Sequence, residues 1–201
     1  MTTVRRGTVW LAALTLGVSV GIASAQQGTK PAAKQTASDK AVIGKPFKAF
    51  ALRDIASDKK TTVDLAAFKG KKVVVGVFMA NRCGTTWTYE QKIGNLIKDY
   101  TPKDVAVVAI HANYNETDEE IMGQIEQRNL AMPVLDDKPT QSLAKYIGAR
   151  CTPTFFVVDK QGVLQYIGAF DKYGREPYIA PVLDAVLTGK KAPYAQTMAF
   201  G

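Results

Sequence analysis

The stretch Val73-Val74-Val75-Gly76-Val77-Phe78-Met79-Ala80-Asn81-Arg82-Cys83-Gly84 decides the fold. Its first six residues are an unbroken apolar run rich in β-branched side chains, the pattern of a strand buried on both faces. A helix follows at once. Tyr89, Ile93, Leu96, Ile97 and Tyr100 fall on one stripe at helical spacing, and Pro102 stops it. A buried strand handing over to an amphipathic helix opens an α/β unit. It leaves Cys83 at the carboxyl end of the strand, where open α/β sheets place their reactive groups.

The pattern continues in both directions. Upstream, Phe47, Ala49 and Ala51 alternate with Lys48 and Phe50 as a short edge strand, and Val63-Asp64-Leu65 is a second short piece. Downstream, Val105 to Ile110 is another buried strand. Thr117-Asp118-Glu119-Glu120 is a capping box opening a helix to about Arg128. Pro133-Val134-Leu135 reads as a short strand, and Thr140 to Ile147 as a short helix ended by Gly148. Phe155–Val158, the Gln161-Gly162 turn and Val163–Ile167 predict a hairpin. Pro177 opens a last helix with Ile179, Val182, Leu183, Val186 and Leu187 on one face; Pro181 marks where it begins or bends. The order predicts an α/β fold: a mixed central sheet with flanking helices and a C-terminal β-hairpin plus helix.

The amino terminus reads separately. Arg5 and Arg6 precede an uncharged stretch from Gly7 to Ile22 that ends in Ala23-Ser24-Ala25. A basic start, an apolar centre and a small-x-small end make a secretory signal peptide, so the product is expected to be exported, periplasmic or secreted. Thr15, Gly17, Ser19 and Gly21 break the apolar centre, so membrane contact is expected only if this segment stays uncleaved. Gln26 to Ala41, polar and without apolar periodicity, reads as a flexible spacer. The expected division is 1–25 signal peptide, 26–43 linker, 44–190 folded domain and 191–201 C-terminal tail.

Composition narrows the chemistry. With 26 Lys and Arg against 18 Asp and Glu the chain carries +8, falling to +6 without Arg5 and Arg6. The excess is scattered over Lys30–Lys48 and Lys59–Lys72, with no basic helix interleaved with aromatics, so no nucleic-acid partner is expected. Two Cys and one His exclude a disulfide-rich scaffold and a four-ligand cysteine–histidine zinc site. A Ser-His-Asp hydrolase has only His111 to draw on. His111 ends the Val105–Ile110 strand and reads as a loop histidine with its hydrogen bonds satisfied rather than a ligand. No metal and no cofactor are expected. Asp136-Asp137 and Glu119-Glu120 read as solvated loop and helix-cap charges.

Cys83 carries the functional question. Free amides at a helix start favour thiolate over thiol, and Arg82 adds a neighbouring cation. The same position also suits a small buried hydrophobe.

Phe78-Met79-Ala80-Asn81-Arg82-Cys83-Gly84 resembles the Phe-Trp-Ala-x-x-Cys-Gly opening of the thioredoxin active site, with Cys83 at the nucleophilic first cysteine of Cys-x-x-Cys. Thr152-Pro153 before Phe155–Val158 resembles the Thr-(cis)Pro step set beside the reactive sulfur. With Tyr146, Gly148-Ala149, Asp159, Gly162 and Asp171, the stretch Gly44–Gly189 is similar to the redoxin, or alkyl hydroperoxide reductase/thiol-specific antioxidant, group. The resemblance implies a thioredoxin-like fold. It also implies an oxidoreductase acting on protein thiols and disulfides or small thiols, met through strand-like contacts beside Thr152 and Pro153. Trp87 either shields the thiol as part of that docking surface or packs on the first helix.

The departures are equally specific. Thr86 stands where thioredoxin has its second cysteine. A dithiol reductase uses that thiol to release a mixed disulfide; a hydroxyl donates to the thiolate but resolves nothing. Cys151 is the remaining thiol. It either pairs with Cys83, which requires Cα atoms within about 7 Å, or faces the core on the other side of Thr152, as alternation along an extended chain favours. The peroxiredoxin pattern Pro-x-x-x-Thr-x-x-Cys is replaced by Gly76 and Ala80, and its activating arginine falls near Pro153, removing donors to the attacked peroxide. The reading is therefore an exported thiol–disulfide redox protein using Cys83 alone, with Arg82 and Thr86 beside it. The alternatives are a redox-silent thioredoxin-fold binding module and a weak thiol-dependent peroxidase.

Overall fold

Continuous apolar strands in the sequence become the centre of one mixed sheet. The computed structural model describes residues 40–57, 61–70 and 72–201. The signal peptide and most of the linker read from the sequence lie outside the described residues. The elements in chain order are β1 (Ala51–Asp54), β2 (Thr62–Asp64), β3 (Val73–Met79), α1 (Gly84–Thr88), α2 (Glu90–Tyr100), β4 (Val105–His111) and α3 (Asp118–Gln127). They are followed by β5 (Val134–Asp136), α4 (Ser142–Ile147), β6 (Thr154–Val158), β7 (Leu164–Gly168) and α5 (Ile179–Leu187). The sheet runs β2-β1-β5-β4-β3-β6-β7. β3, β4 and β5 are parallel, and the remaining neighbours pair antiparallel.

The period of two along β3 sorts its side chains between two cores. Val73, Val75, Val77 and Met79 pack with Ile93 and Leu96 of α2, Ile121 and Ile125 of α3, and Val182 and Leu183 of α5. Val74 and Phe78 face the other way, against Phe50, Leu143, Tyr146, Phe156 and Leu164. Each such side chain contributes about 1.5–3 kcal/mol through burial, so β3 anchors both layers at once. Gly76 interrupts the row for a steric reason. A Cβ there would lie 2.1 Å from Cε1 of Phe156, whose ring fills the space across the β3–β6 pair.

Register then sets the site. Met79 pairs with His111 across β3 and β4, and Phe78 pairs with Thr154 across β3 and β6. The end of β3, the end of β4 and the start of β6 therefore meet at one edge.

Several local expectations change. The first helix is broken: α1 ends at Thr88, and Tyr89 (φ −100°, ψ −1°) joins it to α2. No proline marks this break; it coincides with the Tyr89 hydroxyl donating to Asp171 Oδ1 at 2.7 Å. The edge strand starts at Ala51, because Phe47 N donates to Gly162 O and the chain there runs with the hairpin. Its aromatic rings still pack inward, with Phe47 stacked on Phe156 at 5.3 Å. The last helix begins at Ile179, with Pro181 in its first turn, where a missing amide costs nothing; Pro177 instead bridges to Asp171.

Asp136 and Asp137 are buried rather than solvated. Asp136 pairs with Arg53 at 2.5 Å. Asp137 accepts from the amides of Leu143 and Ala144, capping α4 from a distance, while burial pushes its carboxyl above the ordinary value. Ala41 and Ile43 pack on the second core. Residues 195–197 lie parallel to β7, with Ile167 N donating to Ala195 O and Thr197 N to Ile167 O.

Candidate active site

Cys83 occupies the position before α1 with extended backbone (φ −101°, ψ 108°). Its carbonyl accepts from Thr86 N at 3.1 Å, which winds the first turn and turns the amides of Thr85 and Thr86 toward the sulfur. The thiol is half-buried, and Sγ donates to Thr152 O at 3.0 Å. The Thr152–Pro153 peptide is cis, as the resemblance implies, and Pro153 is buried.

Burial pushes the Cys83 thiol up, but contacts from Thr152, the Thr86 amide and hydroxyl, and the Thr85 amide outweigh it and leave the pKa below its ordinary value. The Thr152 carbonyl contact exists only while the thiol keeps its proton; the Thr152 hydroxyl, the Thr86 hydroxyl and the amides are the partners that favour the ionised form. Because α1 has five residues, these individual hydroxyls and amides, rather than a long helix dipole, do the stabilising.

The other sequence-derived residues divide into two groups. Thr86 is fully buried, and its Oγ1 completes no hydrogen bond to the protein in the resting structure. The sulfur of Cys83 is the acceptor it assists. Arg82 turns away: its side chain is 62% exposed and meets Glu120 at 3.4 Å. It is not among the groups that lower the Cys83 pKa. Trp87 packs against the first core, donates from Nε1 to Asn81 O at 2.7 Å and carries Arg128 over its ring at 4.0 Å.

Cys83 and Cys151 are both free thiols, and both line one cavity of about 590 Å³ together with Thr152, Gln141 and Gly201. Cys151 lies 4.0 Å from Thr154 Oγ1, and that hydroxyl donates to Cys151 O at 2.7 Å. Its proton is thus committed elsewhere. Gly201 presses on the Thr152 backbone so closely that a Cβ would lie 1.8 Å from Thr152 O, the atom that also meets Cys83.

A buried pair behind the site went unread in the sequence. His111 is wholly buried and not a satisfied loop residue: Nδ1 lies 3.3 Å from Glu116 Oε2, and Nε2 has no protein partner. Glu116 Oε1 accepts from Arg82 N at 3.1 Å, tying this pair to the loop that presents Cys83. Burial pushes the Glu116 carboxyl up, but His111 and the Arg82 amide outweigh that and hold it below its ordinary value. Glu116 stands one residue before a capping box whose own acids masked it. Among the described residues no group of His, Cys, Asp and Glu is arranged to hold a metal ion.

Residues 43–183 match the family model described as Redoxin. The chain is 31% identical over 149 residues to the thiol-disulfide oxidoreductase ResA of Bacillus thuringiensis subsp. konkukian (strain 97-27), covering 73% of this chain and 82% of that protein. Among solved structures, a hypothetical protein from Sinorhizobium meliloti 1021 superposes with TM-score 0.71 at 30% identity, over 81% of this chain and 93% of that one. An uncharacterized conserved protein from Geobacillus kaustophilus gives 0.69 at 29% identity, over 78% and 87%.

Proposed function

The chain belongs to the redoxin family, and from that premise we propose that it is an exported thiol–disulfide oxidoreductase working through Cys83 alone. Its relative ResA, a thiol-disulfide oxidoreductase by name, supports the reaction class. The basic, apolar and small-x-small segments of residues 1–25 support export to a periplasmic or secreted location. The expected domain, 44–190, holds both the sulfur and the Thr152–Pro153 step.

The carrying observation is the sulfur itself: half-buried, 3.0 Å from Thr152 O, with a pKa held below its ordinary value. A lowered thiol pKa raises the thiolate fraction near neutrality, and the thiolate is the attacking form. The thiolate attacks a protein disulfide in line, forming a mixed disulfide with Cys83 and releasing the second sulfur as thiolate. The amides of Thr85 and Thr86 stabilise Cys83 again when it leaves. Thr86 supplies a hydroxyl but no second sulfur, so a further thiol completes the cycle.

The experiment is trapping. Cys83→Ser is expected to abolish mixed-disulfide formation with a disulfide-bonded protein, while Cys151→Ser retains it. Loss of the reaction in Cys151→Ser, with a Cys83–Cys151 disulfide in the wild type, would replace the single-cysteine mechanism with a dithiol one. A Cys83 that forms no adduct with any disulfide would leave a binding module.

A further inference from the structure

We infer that the cavity beside Cys83 binds an anionic low-molecular-weight thiol, a small molecule carrying carboxylates, which resolves the mixed disulfide. The inference rests on the reading of Cys83 as nucleophile and names its co-substrate.

Three features carry it. The first is charge. Lys40, Lys145 and Arg150 line the cavity together with Cys83 and Cys151, and among the described residues no Asp or Glu does. No described carboxylate lies within salt-bridge distance of these three cations either. Among the described residues Lys145 Nζ donates to the Thr140 carbonyl, at 2.9 Å, and meets no carboxylate. The second is size. About 590 Å³ is in the range of pockets that enclose small ligands, roughly 300–1,000 Å³, and much too small for a folded partner. The third is access. The strand-like approach beside Thr152 is narrowed by the chain's own C-terminal residues, which pair with β7 at 195–197 and bring Gly201 against the Thr152 backbone. Thr152 and Gly201 are themselves part of the cavity wall, so the space left at Cys83 is the cavity itself.

The chemistry balances with this thiol as reductant. The small thiol, as its thiolate, attacks Cys83 Sγ in the mixed disulfide, breaking the S–S bond and expelling the substrate sulfur, which takes up a proton. A second small thiolate attacks the small-molecule sulfur now bonded to Cys83. Cys83 leaves as thiolate, and the two small thiols are released as their disulfide. One protein disulfide is reduced for two small thiols oxidised.

The reverse half-reaction tests it on the full-length protein. Rates of adduct formation at Cys83, in a Cys151→Ser background, are measured by mass spectrometry with glutathione disulfide (anionic), 2-hydroxyethyl disulfide (neutral) and cystamine (cationic). Each rate is divided by that of the same disulfide with free 2-mercaptoethanol, which removes intrinsic reactivity. Electrostatic focusing in such clefts raises encounter rates by about 10–10³. A preference of about tenfold or more for the anionic over the neutral probe is expected. It should shrink as salt is raised and be lost or inverted in Lys145→Glu/Arg150→Glu, whose substituted side chains are exposed. Normalised rates within twofold of one another, or a preference that survives both salt and charge reversal, would overturn the inference while leaving Cys83 a nucleophile. Failure of all three probes at Cys83 would overturn the nucleophile reading and the inference with it.

Discussion

Replacing Thr86 by valine separates the chemical role of its hydroxyl from its packing role, because the two move in opposite directions. The side chain is 0% accessible, and Oγ1 completes no hydrogen bond to the protein in the resting structure; its hydroxyl serves the Cys83 sulfur as that ionises. An unpaired buried hydroxyl costs about 1–3 kcal/mol, and valine fills nearly the same volume without it. Thr86→Val should therefore leave folding stability unchanged or raise it by up to about 1 kcal/mol. The thiolate of Cys83 loses a charge-assisted hydrogen bond at the same time. Taking the lower end for such bonds, about 1.5 kcal/mol, the ionisation constant falls about tenfold. The more basic thiolate is also the better nucleophile, with a Brønsted slope of about 0.4–0.5, so the rate below the pKa falls by only about three- to fourfold. Iodoacetamide alkylation of Cys83 across pH, in a Cys151→Ser background, should show that fall at pH 6–7 and a break moved to higher pH. Urea unfolding supplies the second readout. An unchanged pH profile would show that the hydroxyl does not reach the sulfur. A loss of more than about 1 kcal/mol in stability would show that it has a partner in the fold.

Two further outcomes test the scaffold. Gly76→Ala sets a methyl 2.1 Å from the Phe156 ring in the middle of the β3–β6 pair, and overpacking of that kind should cost about 1–3 kcal/mol in urea unfolding; a variant as stable as the parent would mean the ring moves freely. Burial pushes the Asp171 carboxyl up, but Lys92 Nζ at 2.5 Å, the Tyr89 hydroxyl and Gly174 N outweigh that and hold it below its ordinary value. The unfolded chain therefore takes up this proton first as pH falls, so the stabilisation is present above the ordinary carboxylate range, about pH 4, and is lost as pH drops through the folded value. Asp171→Asn should lower stability at pH 7 and flatten its decline between pH 5 and pH 2; an equal decline in both proteins would refute this.

The buried strands were the most legible part of the sequence because two-sided burial writes itself as an unbroken apolar run. Val73–Phe78 and Val105–Ile110 each became a central strand, longer by one residue. The site was legible only where it depends on chain position: Cys83 follows its strand, and Thr152-Pro153 precedes one. What escaped depends on contacts far apart in sequence. The break at Tyr89 coincides with a bond to Asp171, 82 positions away. Asp136 and Asp137 look like loop charges until Arg53 and the amides of α4 arrive from elsewhere. Arg82 is adjacent to Cys83 in sequence, yet its guanidinium reaches Glu120 of α3 instead, since consecutive side chains at a turn need not share a face.

The two thiols line one cavity, yet their surroundings make them chemically unequal. Cys83 has amides of Thr85 and Thr86 that hold a negative charge, whereas the nearest hydroxyl to Cys151 spends its proton on the Cys151 carbonyl. Cys83 is therefore the sulfur whose surroundings are built to carry the charge. Ionisation also changes what Cys83 touches. The protonated thiol donates to Thr152 O at 3.0 Å; without the proton, that contact sets an anion against a carbonyl lone pair. The Thr152 carbonyl therefore favours the resting thiol, while the Thr152 hydroxyl, the Thr86 hydroxyl and the amides of Thr85 and Thr86 favour the attacking ion. A single strand-to-helix turn thus separates the two protonation states of one sulfur by which neighbour each prefers.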